Sequence, residues 1–215
     1  MKKILGLGNA LVDALIQIDN DDIFKELHLY KEGMTLIKES THKKIANRLK
    51  SLSFKRSNGG SAGNAMSCIA ALGGDASFVG RIGADENGAF YEAESKQRGV
   101  KFIPLRDPSL PTGVANTFIS DGGLRTFATY LGAAALLEAK HLDAAMPQDV
   151  DYVFIEGYLV QNHELIERAV ELSHQRGAKV CLDLASWNIV ESEHAFFERL
   201  LPNIDIVFAN EDEIG

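Results

Sequence analysis

From residue 151 onward the sequence alternates short apolar runs with amphipathic stretches, and that alternation leaves few folds open. Tyr152 to Ile155 reads as a buried strand, and Glu164 to Arg176 as a helix closed by Gly177. Lys179 to Leu184 follows as a strand, Ser192 to Leu200 as a helix and Asp205 to Ala209 as a strand. A βαβαβ run of this kind implies right-handed crossovers and a parallel sheet. Polar residues sit where these strands end: Glu156, Asp183 and Asn210. Open parallel sheets bind ligands along that carboxyl edge.

The first 150 residues have a different texture. Ile4 to Gly8 is a short apolar run ending in glycine, which fits a buried strand. It also explains the opening MKKILGLGNALVD better than a signal peptide does, because Gly6, Gly8, Asn9 and Asp13 break the apolar stretch. Thr41 to Leu52, Asn64 to Leu72 and Asp85 to Arg98 read as helices, the second ended by Gly73-Gly74, and Ser77 to Ile82 as a strand. Segments 11–19, 33–38 and 100–130 alternate as exposed strands do. Within the last, Asp121-Gly122-Gly123 makes a turn between two strands of a hairpin. These segments predict a small β-layer attached to the ligand edge of the α/β sheet, a lid that keeps water from a reaction it would intercept. Exposed strands seek cover, so a homodimer through the lid is also entertained.

Charge and cysteine usage narrow the function. The formal net charge of −8 argues against a nucleic-acid or anionic-membrane partner. No run approaches the roughly 20 apolar residues that span a bilayer. Cys68 and Cys181 lie far apart with no CxxC, which fits reduced thiols in a cytoplasmic protein.

Three constellations have the chemistry of a binding site. Gly59-Gly60-Ser61-Ala62-Gly63-Asn64 lets the backbone approach a ligand and leads into a helix whose first N–H groups are free. Asn64 both donates to and accepts from a hydroxyl. The same residues also fit a tight loop that merely starts a helix. Asn9 and Asp13 follow the first strand; an amide and a carboxylate there suit a vicinal diol, and equally a turn residue and a solvent-facing charge. Asn210 and Glu213 are three apart, on one face of a starting helix. Their oxygens suit hydrated Mg²⁺, although an acidic helix start alone explains them. Other matches fail. Gly6-Leu7-Gly8-Asn9-Ala10-Leu11 lacks the third glycine of a dinucleotide fingerprint. His163-Glu164-Leu165-Ile166-Glu167 ends in Glu where a zinc-protease motif needs His. No P-loop or GxSxG is present.

Taken together, these pieces resemble the PfkB/ribokinase family of carbohydrate and nucleoside kinases, on the side of its adenosine-kinase-like members. Gly59 to Asn64, Gly73 and Gly80-Arg81-Ile82-Gly83-Ala84-Asp85 with Gly88 resemble its first signature, with Met66 standing where a small residue is expected. Gly6 to Asp13 resembles its first strand and substrate turn, and Asn210-Glu211-Asp212-Glu213 its NxxE motif. Thr112-Gly113 and Arg125-Thr126 up to Tyr130-Leu131-Gly132-Ala133 resemble the lid. The resemblance implies a three-layer α/β/α sandwich with a small β-sheet lid, and ATP-dependent phosphorylation of a primary hydroxyl on a sugar or nucleoside, a ribose-containing one favoured. It implies that Asn9, Asp13, Gly59, Gly60 and Asn64 hold sugar hydroxyls. Asn210 and Glu213 would help place Mg²⁺ and phosphate through water, with no direct metal ligand.

The family's catalytic base is an aspartate in a GAGD-type turn, and no GAGD occurs in these 215 residues. The chain is therefore expected to be the N-terminal portion of a longer ribokinase-like domain, and not to turn over alone. Two other readings stand beside this one: a binding protein that holds a sugar or nucleoside without transferring phosphate, and a Rossmann-type dinucleotide domain, which leaves GGSAGN and the hairpin unexplained.

Overall fold

The computed structural model describes residues 1–49 and 54–214. Strands β1 (Lys3–Leu7), β2 (Leu11–Gln17), β3 (Met34–Leu36), β4 (Phe54–Gly59), β5 (Asp75–Gly83), β6 (Lys101–Asp107), β7 (Gly113–Ile119), β8 (Arg125–Tyr130), β9 (Tyr152–Ile155), β10 (Lys179–Asp183) and β11 (Ile206–Phe208) divide between two sheets. The large sheet runs β11-β10-β9-β1-β5-β6, and every pairing in it is parallel. The small sheet runs β3-β8-β7-β2-β4 and is mixed. The helices are α1 (Asp22–Leu27), α2 (Glu39–Leu49), α3 (Ser61–Ala71), α4 (Glu86–Gln97), α5 (Leu142–Ala145), α6 (His163–Gln175), α7 (Trp187–Ser192), α8 (His194–Leu200) and α9 (Glu211–Ile214).

Strand periodicity sorts the core into layers. Successive side chains of a strand face opposite ways. Leu5, Leu7, Val153 and Ile155 accordingly face Leu165, Ile166, Phe196 and Phe197 of α6 and α8. Phe78, Ile82 and Phe154 face Met66 of α3 and Tyr91 of α4 on the other side. Burying each such aliphatic side chain contributes roughly 1.5–3 kcal/mol. The three-layer α/β/α expectation is thus met, with a separate small sheet. The outer face of that sheet packs Ile16, Phe118 and Ala128 against Phe24 of α1 and against Ile45 and Leu49 of α2.

Several expectations need correction. Val100 to Leu105 is a strand, but β6 pairs in parallel with β5 and belongs to the large sheet, not the β-layer. The small sheet is not simply exposed either: β7 is buried along almost its whole length, because α1 and α2 cover it. β4 joins the small sheet from outside the ranges given for it. Its sequence, Phe-Lys-Arg-Ser-Asn-Gly, has one apolar residue and so no alternating signal, as an edge strand permits. The helix expected from Ser192 to Leu200 is α8, which begins at His194; a separate short helix, α7, precedes it and ends at Ser192, with a break at Glu193. Residues 50–52 of the helix expected from Thr41 to Leu52 lie outside the described residues. The β7–β8 hairpin forms around 121–123 as expected.

Candidate active site

Because the strands of the large sheet are parallel, β1, β9, β10 and β11 deliver Asn9, Glu156, Asp183 and Asn210 to one edge. The small sheet lies against that edge. Between them is a cleft of about 350 Å³. Asn9, Gly60, Ser61 and Glu156 form its polar end, and Gln161 and Asn188 also reach it; the apolar wall includes Leu36, Phe127, Leu131, Tyr158 and Ile189. Among the described residues, no Lys, Arg or His lines it.

Asp13 stands two residues after Leu11 on β2 and so shares the face that Leu11 presents to the cleft. Opposite it, β4 carries Gly59, where a Cβ would collide with the Asp13 carboxylate. Gly60 follows with φ +85, and a side chain there would drive into the Asn9 carbonyl; only glycine takes this backbone cheaply. The placement of this turn is anchored from behind. Asn58, 5% exposed, donates to the Tyr91 carbonyl (2.8 Å) and to Ser95 Oγ (2.9 Å), and Tyr91 Oη donates to the Gly59 carbonyl (3.2 Å). Burial pushes the Tyr91 hydroxyl up, with the Glu156 and Asp13 charges adding to it.

Among the described residues no protein group donates a hydrogen bond to Asp13. Burial raises its carboxyl to about 6, with Arg125 and Arg98 pulling the other way. A partly buried carboxylate on the cleft-side face of its strand, short of donors and against a bare backbone, is suited to accept hydroxyl protons. Glu156 differs. It is 2% exposed and surrounded by donors: Asn9 Nδ2 (2.7 Å), Asn9 N (3.4 Å) and Ala62 N (3.1 Å), with the Ser61 hydroxyl also bonded to it. Burial raises its pKa and these donors hold it down.

A second carboxylate binds the sheets together nearby. Asp85 caps α4 through Gly88 N (2.9 Å) and accepts from Thr112 N (3.0 Å) and Thr112 Oγ1 (2.6 Å). Thr112 Oγ1 in turn accepts from Gly83 N (2.9 Å), so the entry to β7 is tied to the end of β5.

Of the residues expected from sequence, Asn9, Asp13, Gly59 and Gly60 therefore come together. Asn64 does not line the cleft. It is exposed one turn into α3, beside a shallow groove shared with Ser67, Cys68 and Arg98. Asn210 and Glu213 meet each other: Asn210 Nδ2 donates to Glu213 Oε1 (2.9 Å), and Asn210 Oδ1 accepts from Glu213 N (3.1 Å). Their bonding capacity is largely spent on starting α9. No group of three or more His, Cys, Asp or Glu able to hold a metal occurs among the described residues.

The comparisons with known proteins settle the family. The pattern defining the pfkB family carbohydrate kinases matches residues 30–215. The chain belongs to that family. Adenosine kinase 2 of Arabidopsis thaliana is 26% identical over 219 residues, a match covering 98% of this chain and 63% of the relative. Among solved structures, a probable sugar kinase protein from Rhizobium etli superposes with a TM-score of 0.86 at 28% identity, over 99% of this chain and 65% of that one. The adenosine kinase from Sinorhizobium meliloti gives 0.83 at 28% identity, over 99% and 66%. The chain thus spans just under two thirds of the length of these pfkB-family relatives, and its fold is the ribokinase-like fold they share.

Sequence reasoning put Glu156 at a strand end without giving it a role. Its three-way bonding to Asn9, Ser61 and Ala62 depends on residues some 90 and 150 positions earlier, and no local pattern signals it. The apolar wall was equally hidden, since Leu36, Phe127 and Leu131 look like ordinary strand residues until two sheets face each other. Ile189 and Asn188 reach the cleft because Ala185, at φ 70, turns the chain into α7. No helix among the described residues is long and apolar enough to cross a membrane.

Proposed function

We propose that this pfkB-family chain forms the sugar- or nucleoside-binding part of an ATP-dependent kinase acting on a primary hydroxyl, with a ribose-containing substrate favoured. The observation that carries this is the Asp13 carboxylate. It lies on the face of β2 that Leu11 turns to the cleft, receives no hydrogen bond from the described residues and abuts the bare backbone of Gly59, as a group built to accept two sugar hydroxyls would be. Asn9 and the Gly59-Gly60 backbone would complete that contact, with Asn64 as a peripheral one. The apolar wall of Leu36, Phe127, Leu131, Tyr158 and Ile189 suits the flat face of a nucleobase better than a bare hexose. The adenosine kinases among its relatives support the same choice.

The phosphoryl half of the reaction belongs to groups these residues do not supply. Asn210 and Glu213 are satisfied on one another, so direct metal coordination does not fit them, and no step is assigned to Mg²⁺ or ATP within this chain. With no GAGD turn present, the 215 residues are proposed to bind substrate without turning it over. A coupled ATP-consumption assay tests both statements. The complete gene product and residues 1–215 are run side by side on adenosine, other nucleosides, ribose and fructose. Turnover by the complete protein alone is expected. Turnover by residues 1–215 refutes the missing-base argument, and inactivity of both, with no ligand binding by calorimetry, refutes the kinase reading.

A further inference from the structure

Two carboxylates, Asp85 and Glu156, sit at the chain crossings that join the two sheets. Asp85 holds the crossing into β7 through Thr112, and the return from β8 is pinned to the same place by Ala133 N donating to the Pro111 carbonyl (2.8 Å). Glu156 holds the other two: Asn9 between β1 and β2, and Ser61-Ala62 at the start of α3, just after β4. Asp85 lies outside the cleft. Glu156 lines it, so how it bonds Asn9 bears on the ligand.

The chemistry of that bond fixes an orientation. A carboxylate only accepts, so the group Asn9 turns to Glu156 Oε1 at 2.7 Å is its N–H₂. The carboxamide oxygen is thereby turned away, and among the described residues nothing donates to it. Asn9 alone could offer a ligand either a donor or an acceptor. Held by Glu156, it offers an acceptor. The polar end of the cleft then presents the Asn9 oxygen and the Glu156 carboxylate, with no cation among the described residues that line it. Such a surface attracts hydroxyl donors and repels phosphate and carboxylate groups.

We infer that Glu156 is a positioning residue that sets the polarity of Asn9, and that through it the cleft selects a neutral, hydroxyl-donating substrate over a phosphorylated or carboxylated sugar. This rests on the kinase reading above.

The test exchanges donor and acceptor in the complete protein, using the best neutral substrate found in the panel. In Glu156→Gln the side chain can turn its own N–H₂ toward Asn9, and in Asn9→Asp two carboxylates meet. Each is expected to raise KM at least about tenfold, with a smaller change in kcat, the size of one lost charge-assisted hydrogen bond. In the variant that combines Asn9→Asp with Glu156→Gln, the introduced amide donates to the introduced carboxylate, whose second oxygen still accepts from the ligand. KM is then expected to return to within about threefold of wild type, since the pair's bonding is restored. This rescue decides the matter even where Glu156→Gln alone melts too low to assay, because the swap carries its own complete pair. Melting temperatures separate folding from binding. A double variant no better than the worse single variant overturns the inference, as does a wild type that phosphorylates a sugar phosphate as well as its neutral counterpart. A wild type without turnover or binding fails the kinase reading itself, an outcome distinct from a wild type that works but shows no rescue.

Discussion

Asp13→Asn should make the free protein more stable and its ligand binding worse, and the gain should disappear in acid. The Asp13 carboxyl has a pKa of about 6 against an ordinary 3.8, chiefly because it is buried. At about 1.4 kcal/mol for each tenfold in proton affinity, ionising it in the folded state costs up to about 3 kcal/mol. Asp13 is only partly shielded, so water screens part of this, and about 2 kcal/mol is the working figure. The sign follows from linkage. Below 3.8 the group is neutral folded and unfolded, and there is no penalty. As pH rises through about 6 the folded form must ionise, and the wild type loses stability that asparagine, which cannot ionise, keeps. For a chain of this size the difference is about 4–8 °C in Tm at pH 8, shrinking toward zero by about pH 4. Melts followed by circular dichroism across that range measure it. A variant no more stable than wild type at pH 8, or a difference that stays constant with pH, refutes the reasoning. Binding should move the other way, since each lost bond between a sugar hydroxyl and a carboxylate is worth about 1.5–3 kcal/mol.

Other perturbations probe the frame. Asp85→Ala removes the α4 cap and leaves Thr112 N–H and Gly88 N–H without an acceptor; a loss of about 2–4 kcal/mol is expected by urea unfolding, and less than about 1 would show that the sheets are joined otherwise. Gly60→Ala sets a methyl group against the Asn9 carbonyl at φ +85; calorimetry on the complete protein should show no measurable binding of a nucleoside that wild type binds. Ala185→Gly relieves a left-handed residue at φ 70; a gain of up to about 1 kcal/mol is expected from chemical denaturation, while a loss would mean that the alanine methyl packs usefully. If the free edges of the small sheet at β3 and β4 mediate assembly, light scattering of the complete protein gives a dimer mass, and a monomer at all concentrations removes that expectation.

The large sheet was legible because its signals are local. Leu5 and Leu7, or Val153 and Ile155, announce buried strands within five residues, and glycines punctuate the helices between them. The glycine turn at 59–64 was legible for the same reason. Failures came where a segment's fate is decided by a distant partner. The apolar residues of β6 could belong to either sheet; only its register against β5, Phe78 opposite Phe102, settles which. β4 is a strand because β2 offers it six partners, not because Lys55-Arg56-Ser57 favours extension. Asn64 was expected at the site from its place in the glycine-rich turn and from the resemblance; in α3 its side chain is exposed and does not line the cleft. Which oxygen or nitrogen of Asn9 faces a ligand could not be read at all without Glu156.

The position of β1 at the heart of the large sheet sets an order of events during synthesis. It is made before both of its neighbours, pairing with β5 on one side and β9 on the other, so Ile4 waits for Ala76 and then for Tyr152. The small sheet is drawn from the intervening chain. Until Ile155 has left the ribosome, one flank of this central strand stays open, an adhesive edge on a half-made molecule. Long-range pairing of this kind slows folding. During that delay two growing chains on the same message can pair with each other at this open edge.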